Sequence, residues 1–181
     1  RLGLLTDAQK DGIVKACKEI LEGKHHEHFP VDMIQGGAGT TTNMNANEVI
    51  CNRALQIMGH EAGEFAHLSP NDHVNCSQST NDAYPTAIHL GLYATYLKFR
   101  PHLLDLIESL RAKSREFAHV LKMGRTQLED AVPMSLGQTF GGFASILQDE
   151  IKNLDFAAEE FLTVNMGATA IGTGICAQPN Y

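Results

Sequence analysis

Apolar residues recur every three or four positions along most of this chain, the period of an α-helix with one buried face. The first stripe is Ile13, Val14, Cys17, Ile20 and Leu21. Thr6 with Gln9 makes a capping box ahead of it and Gly23 a stop behind it, so a helix is predicted from Thr6 to Leu21. Residues 24–42 contain Pro30 and three glycines and read as an irregular connection, with a short strand at Val31–Ile34. A second helix is expected from about Asn45 to Met58, capped by Asn45 with Glu48 three positions on and closed by Gly59.

From Ser69 to Asp82 polar residues dominate and the period vanishes, which predicts a loop. Ile88, Leu92, Tyr96, Phe99, Leu103, Leu106, Leu110 and Phe117 then repeat at helical spacing. They predict one helix of roughly 35 residues, about 50 Å long, with a kink at Pro101 where a backbone donor is lost. LKMGRTQLEDAVPM, residues 121–134, reads as a second polar loop. Leu136, Phe140, Phe143, Leu147, Ile151, Leu154, Phe161 and Leu162 mark another long helix, to about Val164. The segment MGATAIGTG at 166–174 is too rich in glycine and threonine to extend it.

No strand alternation is visible and no repeat at solenoid spacing. The expected fold class is therefore mainly all-α, a bundle of long helices. Such lengths exceed what one small globule needs, so the bundle is expected to continue into other subunits.

Composition narrows the function classes. The chain has 181 residues, 43% of them hydrophobic and 19% charged, which fits a globular domain or parts of two. A net charge of −7 with no run of Lys and Arg argues against a nucleic-acid surface. No apolar run is long enough to span a membrane, and no membrane partner is expected. Cys17, Cys51, Cys76 and Cys176 are scattered without a CxxC pair, which suits a reducing, cytoplasmic setting and burial as small apolar residues.

Candidate chemistry gathers in three polar stretches, GGAGTTTNMN at 36–45, NCSQSTND at 75–82 and GRTQLEDA at 124–131. Each supplies short donors directly before a helical run. A helix start offers unpaired N–H groups and a partial positive charge, and short hydroxyls can aim several donors at one carboxylate or oxyanion. Capping alone accounts for any single stretch; three of one kind point to a shared polar site. His25, His26 and His28 invite a metal reading, but no carboxylate or cysteine motif accompanies them at a recognised ligand spacing; a solvated helix end explains them better, and no metal is assigned. His73 and His89 receive no role. Glu48, Asp82 and Asp130 are acid–base candidates by type, although Glu48 has a capping task. GGAG lacks the lysine of a phosphate-binding loop and the full dinucleotide fingerprint.

GTTTNMNANEV, HVNCSQSTNDAYPTA, KMGRTQLEDAVPMSLGQ and NMGATAIGTG closely resemble, in the same order, successive motifs of the aspartase/fumarase superfamily. The resemblance covers essentially the whole chain. It implies elimination from a succinyl substrate with release of fumarate, long central helices shared in a homotetramer, and active sites that draw on three subunits. STND at 79–82, Gln127 after Thr126, and Ser69 before PND resemble the branch that deaminates L-aspartate more than the fumarases, which carry SSND and His at the first two places.

Carried over by position, the resemblance implies that Thr40, Ser79 and Thr80 hold the substrate's β-carboxylate, that Asn81 and Gln127 face the amino group, and that Thr126 meets the α-carboxylate. Neither metal nor organic cofactor is required by that chemistry. The superfamily's general base, a serine on a mobile GSSxMPxKxN loop that also brings a lysine, has no counterpart here. Superfamily members are well over twice as long. The chain is expected to be an internal piece, with 1–80 the end of an N-terminal domain and 81–181 the first part of the central helical domain, inactive alone. The alternatives are a fumarase and a non-catalytic helical scaffold of the same fold.

Overall fold

Thr6 starts α1 (Asp7–Leu21) with both halves of the expected capping box: its side chain accepts from Gln9 N–H, and the Gln9 side chain reaches back to the Thr6 backbone. This is seen in a computed structural model that describes residues 2–34 and 36–181. The remaining elements are a 3-10 turn at His26–His28, α2 (Thr40–Ile57), a single π turn at Pro70–Val74, α3 (Thr80–Glu116), strands β1 (Leu121–Thr126) and β2 (Glu129–Ser135), and α4 (Leu136–Glu160). The fold is mainly α-helical, as expected.

Three boundaries depart from the sequence reading. α2 begins five residues before Asn45, directly after Gly39, whose left-handed backbone (φ 82°) turns the chain into the helix without a side-chain cap. The first turn, TTTN, carries no apolar period, because Thr and Asn are as common in caps and turns as in helices. Val31–Ile34 forms no strand. The stretch 121–134 is not a loop but part of an antiparallel hairpin, pairing Leu121 with Ser135 through Thr126 with Glu129. It closes on Gln127 and Leu128, both at positive φ (50° and 69°), the kind of two-residue turn that follows strand twist. Most of the ribbon is exposed on both faces, so no inside–outside alternation was available to read.

The described chain divides into two compact units, residues 1–88 with 164–181, and residues 89–163. In the first, α1 crosses α2 where Gly12 allows close approach: a Cβ there would lie 3.2 Å from Met58 Cγ and 3.3 Å from Ala54 O. Ala16, Cys51, Ala54, Leu55 and Leu68 form the core, with Ile13, Ile50, Met58 and Val74 around it. Cys51 is buried as foreseen and donates to Leu68 O at 3.0 Å, with burial pushing its thiol up to about 11; Cys176 is exposed instead.

In the second unit α3 and α4 run antiparallel. Leu103 and Ile107 pack with Ala144 and Ile151, and Leu104, Leu110, Leu147 and Leu154 flank them. α3 continues through Pro101 without a break. α4 starts from a capping box, Ser135 with Gln138, a start signal hidden inside the stretch read as loop. Asp155 accepts from Arg100 Nε and Nη2 at 2.7 and 3.0 Å and from the Tyr96 hydroxyl, and these donors hold its carboxyl down at about 2.

Candidate functional site

Within the first unit the site grows from the starts of α2 and α3. Gly39 lies against the Tyr84 ring so closely that a Cβ would come within 2.2 Å of Cε1. Only glycine satisfies both that contact and the positive φ. One turn into α2, Asn43 Nδ2 donates to Thr80 Oγ1 at 3.0 Å and to Asn75 Oδ1 at 3.3 Å. Asn47, buried one turn further on, donates to the same Asn75 oxygen at 3.2 Å and to Asn43 O at 2.9 Å. Asn75 Nδ2 in turn donates to Gln78 O at 3.3 Å. This amide network holds the NCSQSTND stretch onto α2. Sequence reasoning passed over Asn43, Asn47 and Asn75; Asn at positions i and i+4 of one helix face was the available signal.

Ser79 is the residue before α3. Its Oγ accepts from Asn81 N–H at 3.2 Å, and its own N–H donates to Asp82 Oδ1 at 2.9 Å. The Ser79 and Thr80 oxygens thus each accept one bond, from Asn81 N–H and from Asn43. Each hydroxyl hydrogen remains able to donate, as an anion requires.

Asp82 takes no acid–base position. It is fully buried, and its second oxygen accepts from Gly167 N–H at 3.2 Å and Thr169 N–H at 2.8 Å. Asn81 Nδ2 donates to Ala170 O at 2.8 Å, and Asn165 Nδ2 donates to Asn81 O at 3.0 Å. The MGATAIGTG segment is therefore fastened to the start of α3. With one of its amide hydrogens engaged, Asn81 keeps a second N–H and Oδ1, the latter an acceptor suited to an ammonium group.

The six residues singled out in the sequence are placed as follows. Ser79, Thr80 and Asn81 sit together at the start of α3. Thr40 is the first residue of α2; the link across to α3 is made by Asn43, while Thr40 lines a shallow hollow with Pro30, Met44 and Glu48. Thr126 and Gln127 belong to the second unit, at the end of β1 and the tip of the hairpin, both exposed. Of the unassigned histidines, His73 Nδ1 accepts from Ser69 N–H at 2.9 Å and His89 Nδ1 bonds Thr163 O at 3.0 Å, both backbone tasks. Asp130 pairs with Arg125 at 3.1 Å on the exposed hairpin. Among the described residues no helix is long and apolar enough to cross a membrane.

Comparison with known proteins bears directly on this geometry. A family profile described as lyase matches residues 1–181. The chain is 58% identical to an aspartate ammonia-lyase of Pseudomonas canavaninivorans, over 99% of this chain and 38% of that protein. It is 54% identical to one of Bacillus subtilis, over 93% of this chain and 36% of that protein. Among solved structures, a fumarate lyase:delta crystallin from Brucella melitensis bound to cobalt superposes with a TM-score of 0.89 at 50% identity, covering 97% of this chain and 38% of that one. A class II fumarase from Schistosoma mansoni gives a TM-score of 0.85 at 40% identity, over 99% and 38%. The chain spans under two fifths of the length of the relatives cited. A match along every residue, with the fold of fumarate lyases and fumarases beneath it, places this chain in the lyase family, the aspartase/fumarase superfamily.

Proposed function

We propose that the chain is part of an aspartate ammonia-lyase, which converts L-aspartate reversibly to fumarate and ammonia. The observation that carries this reading is the pair of hydroxyls at the start of α3, Ser79 and Thr80, each held by one accepted hydrogen bond with its own proton able to donate. In the proposed reaction a base removes a proton from Cβ and the electron pair moves onto the β-carboxylate, giving a dianionic aci-carboxylate. That pair then returns to form the C=C bond as the C–N bond breaks and ammonia leaves. The extra negative charge exists only between the two steps, so donors aimed at it lower the barrier instead of merely tightening binding.

Thr40, Ser79 and Thr80 would hold the β-carboxylate, Thr126 the α-carboxylate, and Asn81 and Gln127 the amino group. The base and a lysine would come from a loop outside this chain. In the same proposal residues 1–80 close an N-terminal domain and 81–181 open the central helical domain of a cytoplasmic homotetramer. Exposed apolar side chains along α3 and α4, among them Phe99, Phe143, Ile146 and Phe156, support an assembly that covers them.

A second reading, fumarase, is favoured by the likeness to the Schistosoma mansoni enzyme. The two separate on ultraviolet absorbance of fumarate formed from L-aspartate and, separately, from L-malate, using the complete gene product with the 181-residue chain as an inactive control. Fumarate from aspartate is the expected result. Fumarate from malate alone overturns the ammonia-lyase reading, and silence from both leaves a scaffold. Thr80→Val should lower kcat by about 10²–10³-fold, the usual cost of one oxyanion donor.

A further inference from the structure

A second polar cluster lies at the exit of α1, where the chain turns through His25 with a left-handed backbone (φ 64°). That conformation disfavours any residue with a Cβ, and such strain persists where the surroundings fix it. The turn brings ligand atoms of His25, Glu27 and His28 within 4.8 Å of one another. His25 Nε2 meets Glu19 Oε2 at 2.8 Å, and Glu19 is itself clamped by Arg53 Nε and Nη2 at 2.6 and 3.0 Å. A metal-bound imidazole characteristically hands its other ring N–H to a carboxylate, and Glu19, anchored to α2 through Arg53, stands in that position for His25.

An independent observation concerns the neighbouring cavity of about 350 Å³, lined by His25, His28, Asn45, Glu48 and Arg53 among others. Asn45 Nδ2 donates to His28 O at 3.0 Å, yet Asn45 Oδ1 is buried with no hydrogen-bond partner. This orphan acceptor belongs to a side chain that lines the same cavity as both imidazoles, and a buried polar atom without a partner calls for a ligand or bound water.

We propose that His25, Glu27 and His28 bind one divalent transition-metal ion of the zinc, cobalt or nickel type, with water completing the coordination. Two imidazoles and one carboxylate suit these borderline ions and not magnesium or calcium, which take oxygen ligands. His25, only 23% exposed at its side chain, is the fixed ligand. Glu27 and His28, 69% and 61% exposed, rotate onto the ion. The bound ion ties residues 25–28 to α1 through Glu19 and to α2 through Arg53 and Asn45. His60, Glu64 and His67 form a competing cluster of the same size, and the imidazole planes are nearly parallel in both, at 11° there and 15° between His25 and His28. What sets the first cluster apart is the Glu19 carboxylate, itself held by Arg53, behind the His25 ring.

The test is titration of the protein carrying this chain with Co²⁺, followed by its visible d–d absorption, and with Zn²⁺ by calorimetry. One ion per chain is expected at this site. Glu27→Gln and His28→Gln should each weaken binding by at least about tenfold, a loss typical of altering a metal site. Both side chains are exposed, so folding is not at risk, and circular dichroism verifies it. His26→Gln is the control, because His26 Nε2 bonds Ile20 O instead. Loss of binding in His60→Gln or His67→Gln but not in His28→Gln overturns the assignment, as does binding insensitive to both sets, or no saturable binding.

Discussion

Replacing Asp82 by alanine removes a side chain that accepts hydrogen bonds from two backbone N–H groups of residues 165–174 and from that of Ser79 at the start of α3. Its oxygens accept from Ser79 at 2.9 Å, Gly167 at 3.2 Å and Thr169 at 2.8 Å. Thr169 is 2% exposed, so its N–H has no water to turn to, and stranding a buried donor costs about 1–3 kcal/mol. Ser79 and Gly167 are only half-buried and recover solvent, so their bonds are worth about 0.5–1.5 kcal/mol each. The sum is about 2–6 kcal/mol, a large share of the about 5–15 kcal/mol that holds a typical domain together. Asp82→Asn keeps one acceptor oxygen and should cost roughly half as much. Urea unfolding followed by circular dichroism measures the global loss, and amide hydrogen exchange at Gly167 and Thr169 reads the local one. Retained protection at Thr169 in Asp82→Ala, or a loss under about 1 kcal/mol, would refute the reasoning.

Three further outcomes follow from the same geometry. Gly137→Ala would set a Cβ 2.4 Å from Ser114 O and 2.7 Å from Ala118 Cα, backbone atoms that cannot swing away, and should cost about 3 kcal/mol or more by thermal melting. Gly142→Ala on the same helix meets nothing within 4 Å and should instead stabilise by about 1 kcal/mol. Leu128→Gly, at a 93% exposed position with φ 69°, should stabilise the hairpin by about 1 kcal/mol, and a loss of stability would sink the turn assignment. Glu19 and Asp155 both sit at about 2, against ordinary values of 4.5 and 3.8, because Arg53 with His25 and Arg100 with Tyr96 favour their charged forms. With folded values depressed, their contribution is complete above the ordinary value and lost as pH falls toward 2. Urea midpoints should fall over that window, and less steeply in Asp155→Asn.

Part of the candidate site was legible because donors crowd in the chain itself. Ser79, Thr80 and Asn81 are consecutive, and their position before an apolar stripe announced a helix start. Their partners were not legible. Which groups hold the two hydroxyl oxygens, Asn81 N–H and Asn43, is decided by the fold, and Asn43 lies 37 residues from Thr80. Asp82 shows the same limit from the other side: its type suggested acid–base chemistry, and only contacts 85 and 87 residues away reveal a structural clasp.

Local interactions alone determined the mainly helical fold, the start of α1 and the two long stripes. A 3.6-residue apolar period and a capping box act within a few residues of chain. Tertiary structure decided what depends on distant partners: the hairpin at 121–135, with exposed faces and an unusual Gln127–Leu128 turn, the early start of α2 at Gly39 against Tyr84, and the fastening of residues 165–174 to α3. None of these leaves a periodic trace, because each is fixed by the shape and unpaired hydrogen-bonding groups of a segment remote in sequence.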